Sequence, residues 1–387
     1  MEKPSYMRFK GSRHFKQRLL LSTLSHRSII VEEIRSNETP PGLRSYEISL
    51  LRLIEKISDD CKVEINETGT KLKYKPGVLM GGRNLVHDCG LGRSIGYFLE
   101  PLVVLGLRGK KPLSIRLKGI TNDPKDPSVD TYRHTTFHIL ERFGVPKEGL
   151  QLKIESRGSP PLGGGEILLG VPSLPSFSAI TWIDEGRVKR IRGVTFTTKV
   201  SADFDHRMMY ATRGVFNRLL PDVRIEKDHR SEPNAGRSKG YGLSLVAETD
   251  SGCFISADVA ICYPKVDEME TFDDSEEKPQ LLPPEDVGIQ AASILLGEIE
   301  QGGVVDSTHQ GLLFLLCALC PEDFSKVRVG KLTPYGIETL RHQQTPSSSN
   351  VRDFLGVTFI FEPDPATNTI ILKCCGSGLP NLSRRIS

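Results

Sequence analysis

The chain has 387 residues, 38% of them hydrophobic and 26% charged, with 51 Lys and Arg against 48 Asp and Glu for a net charge of +3. That length has room for two or three domains and a large core, and the composition is that of a soluble globular protein. A charge so near balance neither demands nor excludes a nucleic-acid partner, since local patches decide that.

Met1-Glu2-Lys3-Pro4 is not followed by the apolar run of a signal peptide, and none is expected. Near the start, Arg13 and Lys16 lie in Gly11-Ser-Arg-His-Phe-Lys, just before a helical segment. Arg44 lies in Pro41-Gly-Leu-Arg at the start of a helix predicted over Leu43–Ile57, where Leu50, Leu51, Ile54 and Ile57 recur at helical spacing. Lys62–Asn66 and Lys71–Lys75 alternate around Glu67-Thr68-Gly69 and read as a hairpin. Lys118 ends a strand before Gly119-Ile-Thr-Asn. A second helix is predicted over Val129–Phe143, followed by strands Leu150–Glu155 and Glu166–Val171.

Those two strands are joined by Arg157-Gly-Ser-Pro-Pro-Leu-Gly-Gly-Gly-Glu166. Gly163, Gly164 and Gly165 lack Cβ atoms, so the backbone can approach another group and point its amides into one concavity. Gly158 and the cation Arg157 stand at its start. The run suits an anion or a nucleic-acid backbone, and it equally suits a glycine-rich hairpin connection. It is not a Walker loop, because no Gly-Lys-Ser/Thr opens a helix behind it.

An insert of about a hundred residues, Ser178–Leu282, is the size of a small domain. It reads as β-α-β-β: strand Gly193–Val200, helix Phe204–Leu220, strand Val223–Lys227 and a hairpin of Leu243–Glu248 with Cys253–Ala257 turning at Asp250-Ser251-Gly252. Gly236-Arg-Ser-Lys-Gly-Tyr-Gly242 is either a strand-holding loop with a stacking Tyr or a mobile connection. Asp267–Glu277 reads as an acidic, solvated loop. The third helix-and-hairpin unit comprises helices Asp286–Gln301 and Gln310–Leu319, then Leu355–Glu362 and Thr369–Cys374 around Asp364-Pro365. Gln343–Asn350 reads as a loop. Three units of one pattern point to internal triplication. The domains expected are 1–177 and 283–387, together one large domain, with 178–282 inserted.

The longest apolar stretch, Leu312–Leu319, is too short to span a bilayer. Of eight cysteines, Cys317 and Cys320 fall on a buried helix and Cys374 and Cys375 near a strand end, without zinc spacing, so buried thiols in a reducing, intracellular setting are expected. No metal site is expected. Arg13, Lys16, Arg44 and Lys118 read singly as surface cations. Taken with the glycine run, they fit one anionic ligand, phosphate or RNA backbone. Asp306 or Ser307 is a natural N-cap after Gly302-Gly-Val-Val, and His309 lies three residues on, either a nucleophile or general base or part of a plain helix start, with Gln310 following.

Seven segments together resemble the RNA 3′-terminal phosphate cyclase family, and more closely its non-cyclase eukaryotic branch. They are Pro41-Gly-Leu-Arg44, Gly96-Tyr-Phe-Leu-Glu-Pro101, Lys118-Gly-Ile-Thr-Asn122, Arg157–Glu166, Arg190-Ile-Arg-Gly193, Gly240-Tyr-Gly-Leu-Ser-Leu-Val-Ala-Glu248 and Leu382-Ser-Arg-Arg-Ile-Ser387. The resemblance implies an α/β (α+β) fold of three repeated units like the C-terminal domain of translation initiation factor three, with a smaller α/β domain inserted before the last. It also carries departures. Cyclases present a nucleophilic His in Gly-Glu-His-x-x-Asp-Gln. Aligned on Gln310, that His falls on Asp306 and the acid on His309. A neutral imidazole can attack the α-phosphate of ATP, whereas a carboxylate is repelled by it and yields only a labile anhydride. The Gly-Gly-Gln-x-x-Arg segment becomes Gly11–Lys16, and a Gln-His pair becomes Tyr46-Glu47.

The branch implies a nucleolar pseudoenzyme of the small-subunit processome, without cofactor. It would bind a ribosome-assembly GTPase, the U3 snoRNP and pre-rRNA during 18S rRNA maturation. A pre-rRNA endonuclease or an RNA 3′-phosphate end-sensor are the alternatives. The Arg-Asp-x-Lys cluster on which a nuclease role rests reads Arg341-His342-Gln343-Gln344 here, and only its arginine remains.

Overall fold

The computed structural model describes residues 6–263, 281–340 and 350–385. The acidic segment Asp267–Glu277, all but the last residue of Gln343–Asn350, and Arg341–Gln344 lie outside the described residues.

The first unit runs β1 (Met7–Lys10), α1 (Phe15–Ser25), β2 (Ile29–Glu32), α2 (Ser45–Ile57), β3 (Ser58–Asp59), β4 (Lys62–Ile65), β5 (Leu72–Lys75) and β6 (Val78–Leu79). Its sheet has the order β1-β2-β5-β4, with β1 and β2 parallel and the other pairs antiparallel; β3 and β6 make a short separate ladder. On α2, Leu50, Leu51, Leu53, Ile54 and Ile57 form the buried face. Glu47 accepts the Arg44 backbone N–H at 2.8 Å and closes the helix start.

The second unit repeats this as β7 (Gly82–Asp88), α3 (Ile95–Leu107), β8 (Leu113–Gly119), α4 (Val129–Thr131), a π-helical turn (Tyr132–Thr136), α5 (Phe137–Arg142), β9 (Gln151–Ser156) and β10 (Gly165–Val171), in sheet order β7-β8-β10-β9. The single helix expected over Val129–Phe143 is thus broken by a wider turn, a feature that re-aims side chains within a helix.

The third unit opens with β11 (Thr181–Trp182) and is then interrupted. The interruption holds β12 (Val188–Thr198), α6 (Asp203–Phe216), β13 (Val223–Arg230), β14 (Gly240–Thr249), β15 (Phe254–Cys262) and α7 (Pro284–Gln301). The third unit resumes with a 3₁₀ turn (Ser307–His309), α8 (Gln310–Ala318), β16 (Phe324–Val329), α9 (Pro334–Leu340), α10 (Asn350–Leu355), β17 (Phe359–Asp364) and β18 (Thr369–Cys375), before α11 (Leu382–Arg385). Its sheet order, β11-β16-β18-β17, matches the other two units. The insert's order, β13-β12-β14-β15, places its first strand inside the sheet, so it is not a fourth copy.

Two expectations need correction. The helix Asp286–Gln301, read with the third unit, packs on the insert: Val287, Ala291, Ala292 and Leu295 share a core with Ile191, Met208, Phe216 and Leu245. The insert's core therefore continues past residue 282. Leu355, read as the start of a strand, ends α10, and the hairpin begins at Phe359. The helix-then-hairpin pattern also captured only half of each unit, because it left out the leading parallel pair; in the first unit that pair is two four-residue strands, of which Ile29–Glu32 carries no alternation. The three units share one core, with Leu20, Ile54, Phe98, Ile115, Phe314 and Val327 among its members.

All eight cysteines are free; Cys317, Cys320 and Cys374 are buried and Cys375 is exposed. The neighbouring Cys374 and burial hold the Cys317 thiol protonated.

Candidate functional site

The outward face of the insert's sheet lies against the second unit, and the glycine run sits in that seam. Arg157 is closed to an outside ligand, because its guanidinium is 1% exposed and all three of its nitrogens are engaged by protein groups. Nη1 and Nη2 form a fork on Asp130 at 2.5 and 2.9 Å, Nη1 also reaches Asn122 Oδ1 at 3.1 Å, and Nε and Nη2 meet Asp228 of β13 at 2.9 Å. The Phe196 ring lies 5.7 Å from the guanidinium carbon. Burial works against the Arg157 charge, but Asp130 and Asp228 outweigh it and hold the group protonated. Asp130 is driven up by burial and drawn below its ordinary value by Arg157.

The glycines serve the same seam. The backbone N–H of Gly236 donates to Arg157 O at 2.5 Å and that of Arg237 to Gly163 O at 2.8 Å. A Cβ on Gly158 would stand 2.2 Å from the Gly165 nitrogen, and one on Gly236 would stand 2.3 Å from Gly163 O. Gly163 and Gly164 take φ of 59° and 90°. The two glycine-rich loops, each of which read as either a binding loop or a plain connection, are therefore each other's partner. Arg157, Gly158, Gly163, Gly164 and Gly165 face protein groups, which corrects their assignment to a phosphate cradle.

Asp306 stands where three modules meet. It is 1% exposed. Its Oδ2 accepts the Ser256 backbone N–H at 2.8 Å and the Ser256 hydroxyl at 2.7 Å, both from β15 of the insert. Its Oδ1 accepts from the His309 backbone N–H at 3.2 Å and from His309 Nδ1 at 2.8 Å, capping the 3₁₀ turn. His309 Nε2 lies 2.8 Å from Thr136 Oγ1 in the π-helical turn of the second unit. Burial would raise Asp306 and lower His309; their mutual attraction reverses both, leaving the carboxyl below and the imidazole above its ordinary value. Gln310 is buried and pins the next loop, accepting the Thr333 N–H at 2.9 Å and donating to Lys331 O at 2.9 Å.

Lys16 does line an open cleft, of about 440 Å³, between the helix starts of the first and second units. Arg35, Tyr46, Glu47, Arg93, Tyr97 and Glu100 share its walls, with Lys125, Asp126, Thr308 and Tyr335. Lys16 Nζ meets Glu100 Oε2 at 2.5 Å, and Tyr335 donates its hydroxyl to Glu100 Oε1 at 2.9 Å. Arg35 grips Glu47 with two bonds of 2.7 Å. Arg93 donates Nε to Asp126 Oδ2 at 2.8 Å and a second bond to Oδ1, with its guanidinium carbon 4.7 Å from the Tyr97 ring centre.

The remaining basic residues do not converge. Arg13 is exposed, beside the cleft residues Ser12 and His14 in the chain. Arg44 is tied to Glu38 at 2.5 Å and to Pro40 O at 2.8 Å. Lys118, half exposed on β8, faces Glu166 at 3.7 Å. The sequence reading missed Arg35 and Arg93. Arg93 carried a usable signal, a cation between Gly92 and the helix-opening Ser94; Arg35 carried none. Among the described residues, no group of three or more His, Cys, Asp or Glu is placed to hold a metal ion.

Three units of one topology, an α/β insert after the first strand of the third, and a cleft beside a capped turn define a triplicated α/β protein with a seam between body and insert. Residues 7–359 match the RNA 3′-terminal phosphate cyclase family. A probable RNA 3′-terminal phosphate cyclase-like protein of Arabidopsis thaliana is 61% identical over 380 residues, 98% of this chain and 99% of the relative. The RNA 3′-terminal phosphate cyclase-like protein of Homo sapiens is 41% identical over 384 residues, 98% and 97% of the two chains. An rRNA processing protein of Schizosaccharomyces pombe is 38% identical over 381 residues, 98% of each. The chain belongs to the RNA 3′-terminal phosphate cyclase family.

Proposed function

We propose that this protein is a factor of pre-rRNA processing that works by binding and performs no adenylyl transfer. The observation that carries the reading is the state of position 306. Nucleotidyl transfer through the protein needs a nucleophile with a free lone pair facing the α-phosphate. Asp306 uses both oxygens on Ser256 and His309, and His309 has both ring nitrogens engaged and is 4% exposed. His309 is therefore no substitute nucleophile.

The likeness to an rRNA processing protein over nearly the whole chain supports the process. Within that reading, the protein acts in the nucleus and nucleolus as a component of the small-subunit processome. It joins a ribosome-assembly GTPase, the U3 snoRNP and pre-rRNA on the route to 18S rRNA. Incubation with ATP labelled at the α-phosphate, with divalent metal present, is expected to leave no label on the protein. A stable protein–AMP adduct overturns the reading.

A further inference from the structure

The cleft holds four cations that in a phosphate site would meet the ligand, and three of them, Lys16, Arg35 and Arg93, already have an anion. We infer that Glu47, Glu100 and Asp126 are specificity-determining residues that act as built-in anions and keep phosphate out of this cleft. The inference goes beyond the proposed function: a protein without a nucleophile can still bind ATP or an RNA 3′-phosphate, and this one is built not to.

Geometry separates these pairs from ordinary surface ion pairs. The carboxylates are the less exposed members, with side chains 3% (Glu47), 15% (Glu100) and 4% (Asp126) exposed, against 13%, 21% and 28% for Arg35, Lys16 and Arg93. Each carboxylate is also fixed by a second donor: Glu47 by the Arg44 backbone N–H at 2.8 Å, Glu100 by the Tyr335 hydroxyl at 2.9 Å, Asp126 by the Ser94 backbone N–H at 3.3 Å. A phosphate can draw a lysine or arginine aside, but it cannot move an acid anchored from behind. Its oxygens would then stand beside a fixed negative charge in a partly dry cleft, where screening is weak.

The two arginine pairs are two-bonded forks, the geometry in which guanidinium also grips phosphate. Carboxylate and phosphate therefore compete for the same donors. Glu100 remains ionised in this setting: burial raises it, and Lys16 with the Tyr335 hydroxyl brings it below its ordinary value. Tyr97 and Tyr335 stand 5.2 and 5.9 Å from Lys16 Nζ and hold the ammonium over their faces, a further restraint on its reaching outward. Formal charge tells the same story. Lys16, Arg35, Arg93 and Lys125 bring four positive charges and Glu47, Glu100 and Asp126 three negative, so the lining carries a net single charge.

The test is calorimetric titration with inorganic pyrophosphate at low salt, on the full chain. Wild type is expected to show no binding at millimolar pyrophosphate. Glu100→Gln and Glu47→Gln keep the side-chain shape while removing the charge. Each is expected to gain at least about tenfold in affinity, the equivalent of about 1.4 kcal/mol. Adding Lys16→Ala to Glu100→Gln is expected to abolish the gain. Circular dichroism and the melting temperature establish that each variant is folded. Folded variants that bind no better than wild type overturn the inference. If neither variant folds, wild type decides alone: pyrophosphate binding that Lys16→Ala removes overturns it, and absence of binding upholds it. Binding without a protein–AMP adduct would sink this inference and leave the proposed function standing.

Discussion

Arg157 in the seam and Lys16, Arg35 and Arg93 in the cleft are all paired with carboxylates, yet their surroundings differ in one respect. The Arg157 cluster is closed over by Phe196 and by backbone of the insert, and its guanidinium is 1% exposed. The cleft pairs open on solvent along one side. In the closed cluster the charges must balance within the protein, and the arginine has become a rivet between modules. In the open cluster three of the four cations are paired as well, although water would have tolerated bare cations there. The same side-chain chemistry thus serves cohesion in one place and discrimination in the other.

The sharpest way to break this comparison is at Arg157. Arg157→Ala strands Asp130 in the seam without a counter-charge, while Asp228 keeps Arg230. Truncating one partner of a buried pair costs about 3–5 kcal/mol. The urea midpoint should fall accordingly, and Arg157→Lys should recover little, since three donors on a point charge cannot serve Asp130, Asp228 and Asn122 together. A loss under about 1 kcal/mol for Arg157→Ala would mean that the seam is not held by charge.

Position 306 gives the next effect. Asp306→Asn removes the charge facing His309 and presents an amide to donors, at a cost of about 2–3 kcal/mol. Its pH dependence is specific. His309 is raised above its ordinary 6.5, so its contribution is complete below about 6.5 and fades as pH rises through the raised value. Asp306 is lowered below 3.8, so its contribution is complete above 3.8 and fades as pH falls through the lowered value. The pair therefore stabilises most between those limits. The gap in melting temperature between wild type and Asp306→Asn should narrow as pH is taken from about 6 to about 9. A gap independent of pH would show that the imidazole is neutral throughout.

How much of this could be read from the chain differs by level. The helix faces and hairpins were legible because Leu50, Leu51, Ile54 and Ile57, or Lys71–Lys75, carry their period locally. The β-α-β-β order of the insert was legible for the same reason. The helix Pro284–Gln301 was found but placed in the wrong module, because an amphipathic face does not name its partner. The candidate site was hardest. Arg157 and its glycines look the same in sequence whether their amides face a phosphate or Gly236, and only the fold shows the second loop lying against them. Arg35 and Glu47, twelve residues apart, meet because a turn returns the chain before α2. Asp306 was legible as a cap from its position before Ser307, and the structure adds its grip on Ser256, fifty residues away.

The smallest expected effect lies at Lys118, which sits on neither side of the comparison. The glycine run and its neighbours suggested a common ligand for Lys118 and Arg157, but the fold points Lys118 to the outer face of β8, half exposed, 3.7 Å from Glu166. Glu166 keeps a stronger partner in Arg116 on the same strand as Lys118. Exposed pairs of this kind are worth about 0–1 kcal/mol, and a side chain whose acid has another cation stands at the low end. Lys118→Ala should shift the urea midpoint by no more than about 0.5 kcal/mol in stability. It should also leave the wild-type pyrophosphate titration unchanged, because the residue is not part of the cleft. A Lys118→Ala variant as unstable as Arg157→Ala would tie the outer face of β8 to the seam, and the division between a closed and an open cluster would have to be redrawn with Lys118 inside it.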